Sequence, residues 1–183
     1  MLKLDQSPAQ LDQVYRSDYY HYLNSPSFQE VFLKPLGKMI DDLDQPCLDV
    51  GCGEGWLADY VTVPYMGIEG SAVALERARA RAHPRTVSFF LDRIEKPVVK
   101  GQFGTIVFGN VLWYSVNSEM FVPFLEQYLR YQPTHFIIYD LEPLDTLAID
   151  KRFRLTGSFR ASVELPDKPD IYKHRKILVY SCR

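Results

Sequence analysis

Three glycines at alternate positions follow a short apolar run and could form a ligand-binding turn. The run is Cys47–Val50, and the glycines are Gly51, Gly53 and Gly55. Glycine adopts positive φ angles at little cost, so this spacing is typical of a tight turn between a buried strand and a helix. Such a turn lets a ligand approach the main chain, where free N–H groups at a helix N-terminus favour a carboxylate or phosphate. These residues therefore indicate a site for an anionic or nucleotide-like ligand.

The spacing of the turn and two later carboxylates narrow the choice of ligand. Trp56 stands where a dinucleotide-binding turn needs its third glycine, which argues against NAD or FAD. Glu69 ends the next apolar run, and its carboxylate can accept hydrogen bonds from both hydroxyls of a ribose. Asp92 ends the third run, beside the expected position of an adenine. Because the carboxyl ends of parallel strands meet at one edge of a sheet, we expect these side chains to share one site.

The elements that would position these residues alternate between strand and helix from Pro46 onward, which predicts a parallel sheet built from βαβ units. Strands are predicted at 47–50, 65–68, 87–91, 103–108 and 136–139, with helices from about Glu54 to Val61, from a Ser71 cap through Ala82, and from about Ser118 to Tyr131. Two further β-like runs, near 153–164 and 176–182, predict an antiparallel hairpin added to the sheet.

The N-terminal segment is predicted to be helical and interrupted at Ser25-Pro26. Pro8 could open the first helix, and Ser27 could cap a second one that runs to about Lys38. The first helical stretch is followed by a dense aromatic group, which consists of Tyr15, Tyr19, Tyr20, His21 and Tyr22. These aromatics could close a pocket or pack onto the core, and both interpretations stay open. We therefore predict a helical cap over residues 1–45 and an α/β domain over 46–183, together one domain.

The run from Cys47 to Gly55 has the pattern hydrophobic-hydrophobic-Asp-hydrophobic-Gly-x-Gly-x-Gly. With Glu69 and Asp92 it resembles the cofactor half of the class I S-adenosylmethionine-dependent methyltransferases. The resemblance covers about residues 45–183, and Phe108–Tyr114 is similar to the fourth motif of the family's small-molecule members. It implies a Rossmann-like α/β fold, with a seven-stranded mixed sheet, helices on both faces and a C-terminal antiparallel hairpin.

The same resemblance implies S-adenosyl-L-methionine as the cofactor and S-adenosyl-L-homocysteine as the product. It implies that the first two glycines and the cysteine between them contact the methionine part, and that the aspartate of the motif lies near its ammonium group. It also implies that Glu69 binds the ribose and that Asp92, with Arg93 or Ile94, edges the adenine. The full set of implied cofactor-binding residues is Asp49, Gly51, Cys52, Gly53, Glu69, Gly70, Asp92, Arg93 and Asn110.

Methyl transfer from a sulfonium is an in-line displacement, so the protein mainly has to align the nucleophile with the methyl group and exclude water. A general base is needed only if the nucleophile arrives protonated. We expect the acceptor between the N-terminal segment and the loops that follow the runs ending at Asn110 and Asp140. The candidate catalytic residues are Asn110, Tyr114 and, as a general base, His21. His135 precedes a buried strand and is interpreted as structural.

The alternatives differ in the acceptor. Amino-methylating DNA enzymes resemble one another in an Asn/Asp-Pro-Pro-Tyr/Phe sequence after the fourth strand, and residues 110–113 lack both prolines. An RNA methyltransferase stays open through two basic clusters, which are Arg77, Arg79, Arg81 and Arg85, and Lys173, Arg175 and Lys176. We interpret both clusters as solvated faces, because the four arginines fall around the helix rather than along one stripe. The sequence thus predicts a small-molecule acceptor, with an RNA methyltransferase or a non-catalytic scaffold protein as the alternatives.

Composition excludes other classes of partner. The net charge of −2 gives no overall attraction to nucleic acid, and no apolar run approaches the roughly 20 residues that span a bilayer. The N-terminus lacks the pattern of a signal peptide. The three cysteines have no metal-ligand spacing, so we predict reduced thiols, no metal and a cytoplasmic location. The sequence leaves the oligomeric state open.

Overall fold

Seven strands form one mixed sheet in the computed structural model, which describes residues 7–17, 19–81, 83–111, 121–141, 152–162 and 175–182. The strands are β1 (Cys47–Val50), β2 (Tyr65–Glu69), β3 (Val87–Leu91), β4 (Thr105–Gly109), β5 (His135–Leu141), β6 (Phe153–Ala161) and β7 (Arg175–Cys182). Their order in the sheet is β3-β2-β1-β4-β5-β7-β6. The first five are mutually parallel, whereas β7 is antiparallel to both β5 and β6. The predicted Rossmann-like mixed sheet with its antiparallel hairpin is confirmed.

The central strands are buried on both faces, which is why they consist of short apolar runs instead of alternating patterns. Along β4, Val107 belongs to one hydrophobic cluster, whereas its neighbours Ile106 and Phe108 belong to the other, as the two-residue period of a strand requires. The first cluster is covered by helices from the N-terminal segment. The second contains Phe124 and Leu125 from α5 (Phe121–Glu126; helices are numbered in chain order). Helices therefore lie on both faces of the sheet, as predicted.

The N-terminal segment begins with α1 (Pro8–Arg16), which Ser7 caps as expected from Pro8. A short 3-10 turn at His21–Asn24 leads to α2 (Pro26–Phe28), a π-helical turn at Gln29–Leu33 and α3 (Lys34–Asp42). The cap of this second helical stretch is Ser25 and not Ser27 as predicted. Proline fits the first position of a helix, where its missing N–H is no loss, so the capping residue directly precedes Pro26.

Several predicted boundaries shift. The helix expected over 54–61 is a 3-10 turn, Trp56–Tyr60, because positive φ angles continue to Gly55 and leave few residues before β2. Ser71 caps α4 (Ala72–Ala80), which ends two residues before the predicted Ala82. The strand predicted from 103 begins at Thr105. The helix predicted over 118–131 is α5 followed by a 3-10 turn at Leu129–Tyr131, and its first residues lie outside the described part. No described helix has the length and hydrophobicity needed to cross a membrane.

Candidate active site

The glycine turn lies at the carboxyl end of β1 and is tied to β2 by its main chain. The N–H groups of Gly51 and Cys52 both donate to the carbonyl of Ile68, at 2.8 and 3.0 Å. Gly51 and Gly53 have φ angles of +73° and +56°. A Cβ atom on Gly51 would lie 2.1 Å from a methyl carbon of Val111, and one on Gly53 would lie 2.9 Å from the hydroxyl of Tyr15. Both the backbone and the surroundings therefore require glycine at these two positions.

Glu69 ends β2 and links the glycine turn to the start of α4. It is buried, and its two carboxylate oxygens accept from the N–H groups of Gly53 at 3.0 Å and Ser71 at 2.9 Å. Burial raises the pKa of Glu69 above its ordinary value, and the hydrogen bonds from Ser71, Gly53 and Gly70 partly oppose that rise. Each oxygen keeps a further lone pair, and Glu69 lines the cleft. The carboxylate can thus hold the turn and accept hydrogen bonds from a ligand together.

Asp49 lies beneath the same turn, in the middle of the sheet. Its carboxyl group is buried and accepts a hydrogen bond from the hydroxyl of Tyr65. Burial raises the pKa of Asp49 to about 7, against the opposing effect of the Tyr65 hydrogen bond, and the nearby charge of Glu69 raises it further. Asp49 also lines the cleft. A cation placed beside it would favour the ionised carboxylate.

Asp92 binds the backbone of the loop that follows β3. It is buried at the end of β3, where one carboxylate oxygen accepts from the N–H of Arg93 at 2.8 Å. The other oxygen accepts from the N–H groups of Val98 and Val99, at 2.8 and 3.0 Å. The described residues that line the cleft include Arg93 and its next two neighbours but not Asp92. The Asp92 side chain therefore fixes the loop that borders the cleft, and its contact with adenine stays a prediction.

Helix α1 covers the cleft from the N-terminal side. Tyr15 is buried against Gly53, and its ring lies 5.0 Å from that of Tyr20. Asp12 docks the helix on α4, since its carboxylate accepts from the hydroxyl of Ser71 at 2.6 Å and from the N–H of Val73 at 3.2 Å. Tyr15 thus satisfies both interpretations of the aromatic group, because it packs onto the turn and also lines the cleft.

Asn110 follows β4 at the opposite side of the glycine turn. Its φ angle is +57°, and its N–H donates to the carbonyl of Tyr139 at 2.8 Å. Its side-chain oxygen accepts from the guanidinium of Arg175, which is only 2% exposed. That guanidinium also lies 5.5 Å from the ring centre of Phe28 and 5.3 Å from that of Tyr139. The prediction of Arg175 as part of a solvated face is wrong, because β7 carries it into the sheet.

Arg81 shows that the first basic cluster also has internal contacts. Its guanidinium donates to the carbonyls of Glu54 and Gly55, at 2.8 and 3.0 Å, and pairs with Asp59 at 2.6 Å. It also stacks on Trp56, 3.8 Å from the ring centre. Trp56 packs against the first hydrophobic cluster and also lines the cleft. Arg81 therefore holds the end of the glycine turn from outside the cleft.

Two other arginines of the cluster are also engaged. Arg77 pairs with the carboxylate of Glu54 at 2.7 Å, and Arg79 donates to the carbonyl of Phe89 at 2.7 Å. Arg85 is exposed, as predicted. The cluster is thus a solvated face only in part.

The remaining predicted residues are less informative. Tyr114, Lys173 and the loop after β5 lie outside the described residues, and for His21 the structure describes the backbone alone. His135 begins β5, at the edge of the sheet opposite the cleft, and burial lowers its pKa. Among the described residues, no group of three or more His, Cys, Asp and Glu side chains could hold a metal. The described cysteines are free.

The glycine turn, Asp49, Glu69 and Tyr15 border one cleft of about 1290 Å³, its open mouth included. Its polar side contains Asp49, Glu69 and the glycine turn. The opposite side, here called the apolar end, is lined by Tyr22, Leu23, Phe28, Leu33, Leu36 and Tyr139. Asn110 lines the cleft as well.

Comparison with known proteins identifies related sequences and folds. Residues 48–132 match a family model described as a methyltransferase domain. A search of curated protein sequences finds no match. Similar solved structures include magnesium protoporphyrin IX methyltransferase from Synechocystis PCC 6803 with bound S-adenosylhomocysteine, with 12% identity and a TM-score of 0.70 over 97% of this chain and 100% of that one.

Two further structures have the same fold. The plantazolicin methyltransferase BpumL, in complex with a triazolic desmethylplantazolicin analogue and S-adenosylhomocysteine, is 14% identical, with a TM-score of 0.64 over 96% of each chain. A Pyrococcus horikoshii protein described as an RNA methyltransferase is 15% identical, with a TM-score of 0.61 over 82% of this chain and 79% of that one. At these identities the likeness concerns the fold, and the different acceptors of the three proteins leave the acceptor of this chain open.

Proposed function

We propose that the chain is a class I S-adenosylmethionine-dependent methyltransferase, which the methyltransferase-domain match over residues 48–132 supports, and that it transfers the methyl group to an oxygen or nitrogen atom of a small molecule. The observation that carries this proposal is the cleft itself, in which a polar cofactor side faces an apolar end across Asn110. Residues 1–45 act as a cap on the catalytic domain, and the helix that contains Tyr15 is the part of this cap that covers the glycine turn.

The cofactor lies along the polar side. When bound, it supplies the electrophilic methyl group. Gly51, Cys52 and Gly53 line the cleft and would contact the methionine part. Asp49 faces the ammonium group, a charge that matches its buried carboxylate.

The ribose and adenine lie further along the same side. Glu69 would accept from the ribose hydroxyls with the lone pairs that its backbone hydrogen bonds leave available, and Gly70 lines the cleft beside it. The adenine lies beside Arg93 and Ile94, on the loop that Asp92 holds. Leu11 approaches Gly70 closely, so α1 covers this part of the site too.

The acceptor lies at the apolar end. Aromatic and aliphatic side chains from the N-terminal segment and β5 line it, which favours an acceptor with an apolar body and excludes water from the reacting atoms. The protein's main contribution is alignment of the nucleophile with the methyl group. A neutral amine or an ionised oxygen needs no base, whereas a hydroxyl would need one, for which His21 and Tyr114 are the candidates.

Cofactor binding is tested by calorimetry with S-adenosylmethionine and S-adenosylhomocysteine. Glu69→Ala is expected to weaken binding by more than about tenfold, because two ribose hydroxyls lose a charged acceptor. Glu76→Ala, an exposed carboxylate on α4, is the matched control and should bind as the unaltered protein does. Equal affinity of the two variants would contradict the ribose contact, and no binding at millimolar ligand would contradict the cofactor site.

The acceptor is tested by transfer of a radiolabelled methyl group to a panel of aromatic and aliphatic amines, alcohols and carboxylates. Turnover on an apolar member supports the proposal. Turnover on RNA, with retention on RNA at moderate salt, would favour the RNA alternative, although the internal contacts of Arg77 and Arg81 reduce the basic surface available for it. Cofactor binding without turnover on any acceptor would favour the non-catalytic alternative.

A further inference from the structure

We propose that Arg175 is a positioning residue, which orients the Asn110 carboxamide so that its amino group faces the acceptor. The inference rests on the proposed function, because it assigns a donor to the acceptor side of the same cleft. The two residues are 65 positions apart in sequence and meet only because β7 pairs with β5, the neighbour of β4 in the sheet.

The orientation follows from donors and acceptors. A carboxamide has one accepting oxygen and one donating nitrogen, and it can turn by half a rotation with little steric change. A guanidinium has five N–H donors and no acceptor, so it admits only the oxygen. Arg175 donates to the side-chain oxygen of Asn110, and the amino group therefore points away from Arg175.

The geometry leaves that amino group available to a ligand. Asn110 is half-buried and lines the cleft, and its amino nitrogen donates to no described residue. Arg175 itself does not line the cleft, but it contacts Phe28 and Tyr139, which belong to the apolar end. Asn110 follows β4, which lies between β1 on the cofactor side and β5 at the apolar end. The amino group that Arg175 turns away from itself is therefore placed where it can donate to an oxygen of the nucleophile-bearing group.

The position of Asn110 is held from the main chain as well. Its left-handed backbone and its N–H bond to the carbonyl of Tyr139 fix where the side chain starts. The guanidinium, which lies beside two neighbouring aromatic rings, fixes where the side chain ends. A side chain held at both ends loses little entropy when it donates to a ligand, which is the advantage of a preorganised site.

The first test uses the acceptor identified from the panel. Arg175→Met and Asn110→Ala are each expected to lower kcat/KM by about tenfold or more, and the double variant should be no worse than Asn110→Ala alone. Asn110→Asp should match Asn110→Ala, because a carboxylate still accepts from Arg175 but has no N–H. The dissociation constant for S-adenosylhomocysteine should change by less than about twofold throughout.

Arg154→Met, an exposed arginine on β6, is the matched control and should leave kcat/KM unchanged. Additive losses in the double variant would overturn the proposal, since Arg175 would then act independently of Asn110.

The second test needs no acceptor, so it separates a failure of this proposal from a failure of the proposed function. The chain has three asparagines, Asn24, Asn110 and Asn117, and selective ¹³C and ¹⁵N labelling gives three side-chain signals, which Asn110→Asp assigns. Arg175→Met and Arg175→Lys should shift the carboxamide carbon signal of Asn110 and leave that of Asn24 in place. The lysine variant guards against loss of folding, because it keeps a buried cation but not the fork of donors. An unchanged Asn110 signal in both variants would overturn the proposal.

Discussion

Two buried carboxyl groups, Asp49 and Glu69, lie on the polar side of one cleft, where burial raises the pKa of both and the charge of Glu69 raises that of Asp49 further. Glu69 is compensated by backbone N–H groups, whereas Asp49 has the hydroxyl of Tyr65 and a pKa of about 7. At neutral pH the protein without ligand therefore keeps a substantial part of Asp49 protonated. Ionisation of this buried carboxyl group therefore lowers the stability of the folded protein when no ligand is bound.

The stability of the protein is expected to fall between about pH 5.5 and pH 8. The pKa of Asp49 rises from an ordinary value of 3.8 to about 7 on folding, so the folded state binds more protons than the unfolded state between these values. Asp49 thus makes its full contribution to stability below its unfolded pKa and loses it as the pH rises through the folded one. Asp49→Asn should remove about 2 kcal/mol of this decline, as measured by urea unfolding at the two pH values.

Glu76→Gln is the control for that experiment, because it removes an exposed carboxylate on α4. A decline that is equally steep in Asp49→Asn would show that other groups cause it. Asp49→Asn should also weaken S-adenosylmethionine binding at pH 8, since the ammonium group would lose its charged partner. Greater stability combined with weaker binding is the pattern of a functional buried charge.

Arg81 holds the main chain of the glycine turn from outside the cleft. Arg81→Met should lower the free energy of unfolding by about 1–2 kcal/mol, because it removes two hydrogen bonds to main-chain carbonyls, an ion pair and the stacking on Trp56. Cofactor affinity should fall with it, since the turn is less ordered. Arg85→Met, an exposed arginine nearby, should change neither quantity, and both are measured by urea unfolding and calorimetry. Equal stability of Arg81→Met and Arg85→Met would refute this role of Arg81.

At the scale of elements, α1 is joined to α4 by one carboxylate that acts as a second cap. Ser71 already caps α4 with its own hydroxyl, and Asp12 accepts from that hydroxyl and from the N–H of Val73. Hydrogen bonding to Ser71 lowers the pKa of Asp12, as expected of an ionised carboxylate at a helix N-terminus. The contact therefore stabilises α4 and places Tyr15 over the glycine turn together.

Asp12→Ala is expected to loosen α1 without unfolding the domain. Amide hydrogens of residues 8–16 should exchange faster, and the dissociation constant for S-adenosylhomocysteine should rise by about three- to tenfold, corresponding to about 1 kcal/mol of lost docking. Hydrogen exchange followed by mass spectrometry measures the first effect and calorimetry the second. Gln13→Ala, an exposed neighbour on α1, is the control. Unaltered exchange in the Asp12 variant would mean that apolar contacts alone hold the helix.

At the scale of the whole molecule, the site lies where the order of parallel strands reverses. The chain moves outward from β1 to β3 and then returns to place β4 on the other side of β1, so the ends of β1 and β4 flank a crevice. The sequence allowed this position to be predicted, because Gly51, Glu69 and Asn110 each directly follow or end an apolar run. Local spacing is enough here because the carboxyl ends of all the parallel strands meet at one edge of the sheet.

Other features of the site could not be predicted from local spacing. Arg175 reads as one residue of a basic cluster, and only the insertion of β7 between β5 and β6 brings it to Asn110. Asp92 reads as an adenine ligand, a contact that stays a prediction, and its hydrogen bonds to the loop after β3 have no signal in the sequence. Helical propensity alone predicts a helix from about Glu54 to Val61. The helical turn is shorter, Trp56–Tyr60, because the glycine turn extends to Gly55.

The place of β7 has a consequence for the order in which the enzyme becomes active. Ribosomes deliver the chain from its N-terminus, and every parallel strand and the whole cofactor side are complete before Arg175 is made. Under the proposed role of Arg175, the acceptor side of the cleft is complete only after β7 has paired with β5. Pairing of β7 would then complete both the sheet and the acceptor side, which couples the onset of activity to the completion of folding.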